Sequence, residues 1–214
     1  MKVLPFIESL DIANAAEVAA AHLDAGGLLA YPTETVYGFG CTLRPEALTR
    51  LSALKLGREG KAFLLLIRDV EDVSGLHWND PAVALANEFW PGPLTLALRT
   101  EEGRFPPEVL GPGGLVALRV SPHPGLQVLM NLLREPLTST SANLPGTPPR
   151  SSGDDVARLL ENAGQSDTLV LDGGRLAPSP SSTLVDCSER IPRVLREGAI
   201  SLKELRRCVH DIRI

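Results

Sequence analysis

Hydroxyl and cationic side chains in this chain cluster at the ends of apolar stretches. The hydroxyl and amide members are Thr33, Thr35, Ser139, Thr140, Ser141 and Asn143. The cationic members are Lys55, Arg58, Lys61, Arg119 and Arg196. Several cations and hydroxyls that converge on one cavity can hold a triphosphate without a glycine-rich phosphate loop. The sequence therefore predicts an anion site built at the ends of several strands.

The first of these clusters lies in the stretch 31–40, which follows the apolar run 27–30. Pro32 cannot donate to a sheet ladder, so a buried strand is expected to end there. Small polar donors at a strand end are typical of a ligand site in an α/β protein, and Gly38 and Gly40 allow tight backbone geometry. A plain strand-to-loop turn is the competing interpretation of the same stretch.

Each of the other groups also has a structural interpretation. Arg119 lies in an apolar strand, where an unpaired charge is costly, so it pairs either with a ligand or with a structural carboxylate. Lys55 and Lys61 fit a solvated surface as well as a site. The hydroxyls that follow residue 138 could simply bond to the backbone of an ordinary turn.

The elements that position these residues alternate between helix and strand without a regular βαβ rhythm. Helices are predicted at 11–23, with Asp11 as the N-cap, at 45–55, where Leu48, Leu51 and Leu54 recur with a helical period, and at 81–89, 124–133 and 154–161. A last helix is predicted from Ser201, which forms a capping-box start with Glu204. Strands are predicted at 28–31, 63–67, 94–98, 115–120, from 137, and at 168–171, 183–185 and 192–196. The segment 144–153 is rich in proline, glycine and serine and is a candidate lid. The pattern favours an α/β fold, one domain over 1–214, with a mixed, twisted sheet flanked by helices.

Composition narrows the function classes. The 214 residues are 43% hydrophobic, and the formal net charge of −5 disfavours a general nucleic-acid-binding surface. Zinc-type spacings of histidine or cysteine, a phosphate-loop motif and a dinucleotide fingerprint are missing, so no metal site is expected. Three cysteines without metal spacing suit a reducing compartment, and neither a signal peptide nor a membrane-length apolar run is present. We expect a cytoplasmic protein without membrane contact.

Six motifs in order resemble the YrdC-like L-threonylcarbamoyl-AMP synthases, over roughly residues 28–200. The most specific is Tyr31-Pro-Thr-Glu-Thr-Val-Tyr-Gly, followed by Trp90-Pro-Gly-Pro-Leu-Thr and Val116-Ala-Leu-Arg-Val. The series ends with Ser139-Thr-Ser-Ala-Asn, Ser182-Thr-Leu-Val-Asp and Leu195-Arg-Glu-Gly-Ala-Ile. The resemblance implies a single-domain YrdC-like fold and a nucleotidyltransferase that makes L-threonylcarbamoyl-AMP and pyrophosphate from L-threonine, bicarbonate and ATP. That reaction is the first step in forming N6-threonylcarbamoyladenosine in tRNA, so tRNA or tRNA-modification proteins are candidate partners.

By this resemblance the candidate residues divide between two substrates. Those implied to bind threonine are Thr33, Arg119, Ser139 and Ser182. Those implied to bind ATP are Lys55, Arg58, Lys61, Ser141, Asn143 and Arg196. Lys55 and Arg58 are also the implied catalytic residues, and Mg²⁺ would accompany the triphosphate without a protein cage of its own.

Three departures from the family pattern keep an alternative open. Lys55-Leu-Gly-Arg58 is one residue longer than the usual Lys-x-Arg, Pro145 replaces a common hydroxyl position, and Leu115 replaces a threonine or serine. These features resemble the YciO-type paralogues. The alternative is therefore a YciO-type protein, or a double-stranded RNA- or nucleotide-binding protein of the same fold, without the synthase activity.

Overall fold

The structure is a computed structural model that describes residues 1–55 and 61–214. Within these residues it contains ten strands and six α-helices. The strands are β1 (Lys2–Pro5), β2 (Leu29–Pro32), β3 (Tyr37–Gly40), β4 (Leu64–Leu66), β5 (Leu94–Arg99), β6 (Leu115–Arg119), β7 (Leu137–Ser141), β8 (Leu169–Asp172), β9 (Thr183–Asp186) and β10 (Arg193–Arg196). The helices are α1 (Ser9–Asp24), α2 (Pro45–Leu54), α3 (Asp80–Phe89), α4 (Pro124–Leu132), α5 (Gly153–Asn162) and α6 (Leu202–Cys208). None of the described helices is long and apolar enough to cross a membrane.

The ten described strands form one sheet in the order β1-β8-β2-β3-β7-β4-β6-β5-β9-β10. The pairs β1–β8, β8–β2, β4–β6 and β5–β9 are parallel, and the other neighbours are antiparallel. The mixed α/β sheet expected from the sequence is therefore confirmed, while a single domain over 1–214 stays a prediction. Strands β3, β7 and β4 lie at its centre, and Gly38 pairs with Ser141 while Leu64 pairs with Ser139.

Alternation along the strands sends side chains into a core on each face of the sheet. On one face, Leu29 and Tyr31 of β2 pack in the same cluster as residues of α1 and α4, such as Ala16 and Leu129. On the other face, Ala30 of β2 belongs to the cluster that contains residues of α2, α3, α5 and α6. The period-2 alternation of strands explains why neighbours in β2 belong to different cores. Both faces being covered fits the unbroken apolar runs in the sequence.

The predicted helices and most of the predicted strands are confirmed, with shifts at their ends. The helix predicted at 11–23 runs over Ser9–Asp24, and its N-cap is Glu8, so the prediction of Asp11 as the cap is wrong. The capping box of α6 is confirmed, because Ser201 accepts from the backbone N–H of Glu204 and the Glu204 carboxylate accepts from Ser201.

Two strands were not predicted, and one was placed too short. Strand β1 and strand β3 are absent from the sequence prediction, in which the stretch 31–40 is a compact loop. The hydroxyl cluster at 139–141 was predicted to follow a strand, but these residues are part of β7. The hydroxyls are therefore held by sheet pairing rather than by a loop.

Candidate active site

A cavity of about 470 Å³ opens beside the central strands of the sheet. Nine of the ten predicted site residues line it: Thr33, Lys55, Lys61, Arg119, Ser139, Ser141, Asn143, Ser182 and Arg196. The tenth, Arg58, lies outside the described residues. The convergence expected from the sequence is thus present, although the role of each residue stays a prediction.

The charge of this cavity is opposite in sign to that of the chain. Among its described lining residues are four cations, Lys55, Lys61, Arg119 and Arg196, and no aspartate or glutamate. The whole chain carries a formal net charge of −5. A concave site lined by one sign of charge raises the local concentration of ligands of the other sign. The cavity is therefore suited to anions.

The turn between β2 and β3 is organised by the hydroxyl of Thr33. Its Oγ1 donates to the carbonyl of Val36 at 2.7 Å and accepts from the backbone N–H groups of Thr35 and Val36, each at 3.1 Å. It also lies 3.0 Å from Oγ1 of Thr35, so the one donor and two acceptor positions of the hydroxyl are all taken within the turn. Thr33 is 3% exposed, so the structure gives it a turn-forming role in addition to its predicted place at the threonine. Thr33, Thr35 and Val36 therefore form the turn between β2 and β3 and also line the cavity.

Arg119 ends strand β6 and is buried, with 5% of its surface exposed. Its Nη2 contacts a carboxylate oxygen of Glu34 and donates to Oγ1 of Thr35 at 3.3 Å. Its Nε is also buried and has no hydrogen-bond partner among the described residues. Arg119 therefore pairs with a carboxylate of the protein, and its Nη1, which makes no hydrogen bond with the described residues, is the donor left for a ligand at the wall of the cavity.

The positive charge of Arg196 acts on Arg119. Burial, opposed by Tyr31 and reinforced by the nearby charge of Arg196, lowers the pKa of Arg119 to about 10. Burial also lowers the pKa of Arg196. Both guanidiniums remain cationic at neutral pH. An anion bound between them would relieve the repulsion between two partly desolvated cations.

Arg196 is anchored on the residues that precede β9. Its Nε and Nη2 donate to the carbonyl of Ser182 at 3.1 and 2.8 Å, and Nη2 lies 3.2 Å from the Ser182 hydroxyl. That hydroxyl also bonds to Oγ1 of Thr95 at 2.8 Å. Gly198 lets the two segments approach, since a Cβ there would overlap the backbone carbonyl of Ser181. One wall of the cavity is thus a small network that fixes the direction of Arg196.

Lys55, the residue after α2, is 5% exposed and reaches across to the end of β7. Its Nζ donates to the carbonyls of Ser141 and Asn143 at 2.9 and 2.7 Å and to Oδ1 of Asn143 at 2.8 Å. The hydroxyl of Ser141 donates to the same Oδ1 at 2.6 Å. The Asn143 amide nitrogen in turn donates to the Thr147 carbonyl at 2.5 Å. Lys55 therefore holds the Ser141–Asn143 turn in shape, which the solvated-surface interpretation did not include.

Three residues that support the site are not among the predicted site residues. They are Glu34, which pairs with Arg119, Ser121, whose Oγ donates to Glu34 at 2.7 Å, and Thr95, which bonds to Ser182. Glu34 had a usable signal, because a buried arginine needs a counter-charge and a carboxylate stands in the neighbouring motif. For Ser121 and Thr95 the partners are more than 80 residues away, and no local pattern reports them.

The site carries no metal-binding cluster in the part of the chain that the structure describes. No group of three or more histidine, cysteine, aspartate or glutamate side chains with metal-binding geometry occurs there. The described cavity lining offers hydroxyls, an amide and cations instead. Such donors fit a phosphate group or a carboxylate rather than a divalent cation.

A family model matches residues 21–198 of this chain. It is the Sua5/YciO/YrdC model, whose description reads "Telomere recombination". The chain belongs to the Sua5/YciO/YrdC family. The match includes all ten predicted site residues, from Thr33 to Arg196.

Two curated proteins similar to this chain are named threonylcarbamoyl-AMP synthase. The threonylcarbamoyl-AMP synthase of Pyrococcus abyssi (strain GE5 / Orsay) is 35% identical over 202 residues, which are 92% of this chain and 58% of the relative. The threonylcarbamoyl-AMP synthase of Bacillus subtilis (strain 168) is 31% identical over 204 residues, 92% of this chain and 57% of the relative. The chain thus spans less than two thirds of the length of the curated relatives that it matches.

Solved structures of the family have the same fold. P. abyssi Sua5 complexed with L-threonine superposes with a TM-score of 0.88 at 31% identity, covering 100% of this chain and 62% of that one. E. coli YciO superposes with a TM-score of 0.78 at 27% identity, covering 95% of this chain and 97% of that one. The YrdC-like fold expected from the motifs is confirmed.

Proposed function

We propose that this chain is an L-threonylcarbamoyl-AMP synthase. The amine of L-threonine and bicarbonate form a carbamate with loss of water, and a carbamate oxygen attacks the α-phosphorus of ATP. The bond between the α-phosphorus and the β,γ-pyrophosphate breaks, so the products are L-threonylcarbamoyl-AMP and pyrophosphate. The observation that carries the proposal is a cavity in which four cations and several hydroxyls converge without a carboxylate among the described lining. The names of the curated relatives and the threonine complex of P. abyssi Sua5 support this choice.

In this proposal one end of the cavity binds the carboxylate of threonine and the other binds the phosphates of ATP. At the end formed by the Thr33 turn, Arg119 would bind the carboxylate of threonine through Nη1, which makes no hydrogen bond with the described residues, with Ser139 and Ser182 nearby on the lining. At the other, Lys61 and the turn that Lys55 holds would receive the phosphates. In this assignment Ser141, Asn143 and Arg196 also belong to the ATP side, together with Arg58.

The proposed reaction requires the protein to position the substrates, and it does not require a nucleophile from the protein. The carbamate and the triphosphate are both anions, and cations that face both lower the cost of bringing them together. Lys55 and Arg196 are fixed by hydrogen bonds within the protein, so little reorganisation is needed when substrates bind. Mg²⁺ bound to the triphosphate would neutralise charge on the leaving pyrophosphate. Because the described cavity lining holds no carboxylate, the ion would be held by phosphate oxygens and water.

Pyrophosphate release tests the proposal directly. The complete mixture contains the protein, L-threonine, bicarbonate, ATP and Mg²⁺, and three further mixtures each omit one of the three substrates. Release should require all three substrates together. Release that continues without threonine would contradict the proposal, as would no release in the complete mixture by a protein that binds ATP.

A YciO-type protein is the second candidate, favoured by the longer Lys55-to-Arg58 spacing. The higher identity and TM-score of the synthase relatives support the first candidate. The product of the proposed reaction would be used on tRNA, so tRNA and tRNA-modification proteins remain proposed partners. A cytoplasmic location is likewise a proposal, which the need for ATP supports.

A further inference from the structure

A carboxylate stands behind the arginine that faces the proposed threonine site. Glu34 contacts Nη2 of Arg119 through one carboxylate oxygen, and its other oxygen accepts from the Ser121 hydroxyl at 2.7 Å. The Ser121 hydroxyl in turn accepts from the backbone N–H of His123 at 3.2 Å, at the start of α4. Glu34 is therefore held in place by strand β6 and by the segment that leads into α4.

Glu34 lies outside the cavity that its partner faces. Arg119 and Thr35 belong to the cavity lining, whereas Glu34 and Ser121 do not. The Glu34 side chain is 19% exposed and that of Arg119 is 6% exposed. A substrate in the cavity would meet Arg119 directly, and Glu34 could affect it only through Arg119.

The contacts of Arg119 leave one part of its guanidinium for a ligand. Nη2 is used by Glu34 and by Thr35, and Nε is shielded from solvent, whereas Nη1 makes no hydrogen bond with the described residues and is not among the buried atoms. A ligand carboxylate that accepts from this cationic donor in a partly desolvated site forms a strong, charge-assisted bond. The planar guanidinium offers that donor in a fixed direction only if its other end is held.

We propose that Glu34, held by Ser121, is a positioning residue that fixes the guanidinium of Arg119 for the carboxylate of an amino-acid substrate. This inference rests on the proposed function, in which that amino acid is threonine. The arrangement has an electrostatic consequence, because Glu34 compensates the charge of Arg119 while the cavity is empty. Arg196, which is assigned to the ATP side, is close enough to Arg119 to lower its pKa, so its uncompensated charge also attracts the carboxylate of threonine. Arg119 supplies direction to that carboxylate, and Arg196 supplies net attraction to both substrates.

Substitutions that keep the shape of Glu34 test the proposal. Glu34→Gln retains the size of the side chain and loses its charge, and Ser121→Ala keeps the carboxylate but removes its second support. The matched control is Glu17→Gln, which changes the net charge equally at an exposed position of α1. Binding of L-threonine and of ATP to the full chain is measured by calorimetry, with thermal unfolding as a check that each variant folds.

The expected result is a selective loss of threonine affinity. Glu34→Gln should raise the Kd for threonine about tenfold and Ser121→Ala about threefold, since one charge-assisted contact or one neutral contact is lost. The Kd for ATP should change less than about twofold, and Glu17→Gln should change neither. In an Arg119→Lys background Glu34→Gln should have no further effect, because residues that act through one another are not additive. Unchanged threonine affinity in Glu34→Gln, or an equal loss in both backgrounds, would overturn the inference.

Hydrogen exchange at the Arg119 side chain, followed by NMR, is a second test of the inference. The Nε–H signal of Arg119, assigned in NMR spectra by its loss in Arg119→Lys, should exchange slowly with water in the wild type and at least about tenfold faster in Glu34→Gln. Equal exchange in the two proteins would overturn the inference whatever the activity. A wild type that shows this protection but binds no threonine would instead contradict the proposed function.

Discussion

Removing the side chain of Arg119 separates its two roles, as a partner of Glu34 and as a ligand of the substrate. In Arg119→Ala the carboxylate of Glu34 loses its cation and keeps the Ser121 hydroxyl. At the same time the cavity loses one of its four described cations. The variant should therefore be less stable and should also bind threonine less tightly.

The two losses have different expected sizes. A hydrogen bond to a charged group contributes about 1.5–3 kcal/mol, and about 1.4 kcal/mol corresponds to a tenfold change in affinity. The Kd for threonine should therefore rise about 10- to 150-fold. Leaving one partner of a buried ion pair costs about 3–5 kcal/mol. Because the Glu34 side chain is 19% exposed and keeps one hydrogen bond, we expect the free energy of unfolding to fall by about 3 kcal/mol, the lower end.

A double variant separates the structural role of Arg119 from its role in binding threonine. Arg119→Ala combined with Glu34→Gln removes the uncompensated charge, so urea unfolding should show that most of the lost stability returns. Calorimetry with L-threonine should show that the lost affinity does not. If Arg119→Ala lowers stability while the Kd for threonine stays within twofold of the wild type, Arg119 is only a structural partner of Glu34 and the reasoning is refuted.

Three further perturbations test the walls of the cavity and the core behind it. Gly40→Ala would drive a Cβ into the Thr138 carbonyl, so urea unfolding should show a loss of about 1–3 kcal/mol. Asn143→Ala removes one acceptor of the Lys55 ammonium, so calorimetry should show that the Kd for ATP rises about tenfold and that the Kd for threonine does not change. Burial lowers the pKa of His123, so the unfolded state binds its proton first as the pH falls below about 6.5. Wild-type stability should therefore decrease between pH 7 and pH 5 by more than that of His123→Asn, which keeps an N-cap acceptor.

Each of these expectations has a control and a contradicting result. Gly111→Ala is the matched control, because Gly111 has φ −78° and its Cβ would meet no atom closer than 3.4 Å, so a similar stability loss there would contradict the assignment of the Gly40 effect to the Thr138 carbonyl. Equal losses of ATP and threonine affinity in Asn143→Ala would indicate a general disturbance of the site. Parallel pH profiles of wild type and His123→Asn would remove His123 from the account of acid sensitivity.

Local patterns predicted the elements whose signal lies within a few residues. The apolar period of α2 and the capping box of α6 needed no knowledge of distant partners, and both are confirmed. Strand β1 was missed because it pairs with β8, more than 160 residues away, and carries little apolar signal of its own. Strand β3 was missed because Gly38 and Gly40 weaken a strand pattern. The structure gives the reason for Gly40, which lets β3 lie against the Thr138 carbonyl of β7.

The candidate site was predictable in its members and not in their contacts. Residue type identified the cations and hydroxyls that line the cavity, and the order of motifs identified the family. That Lys55 holds the Asn143 turn and that Glu34 pairs with Arg119 depends on the arrangement of α2, β6 and the β2–β3 turn in space. The members of each pair are more than 80 residues apart, so no local pattern reports the Lys55 contact, and the need of a buried arginine for a counter-charge is the one signal for Glu34.

Incorporation of labelled bicarbonate into a threonine-containing adenylate is the measurement that tests the central claim most directly. The protein is incubated with L-threonine, ATP, Mg²⁺ and ¹³C-bicarbonate. The products are separated by chromatography, and their masses are measured by mass spectrometry. We predict an adenylate that contains one threonine and one heavy carbon, formed together with pyrophosphate. An adenylate without the heavy carbon, or AMP formation that does not depend on threonine, would contradict the account.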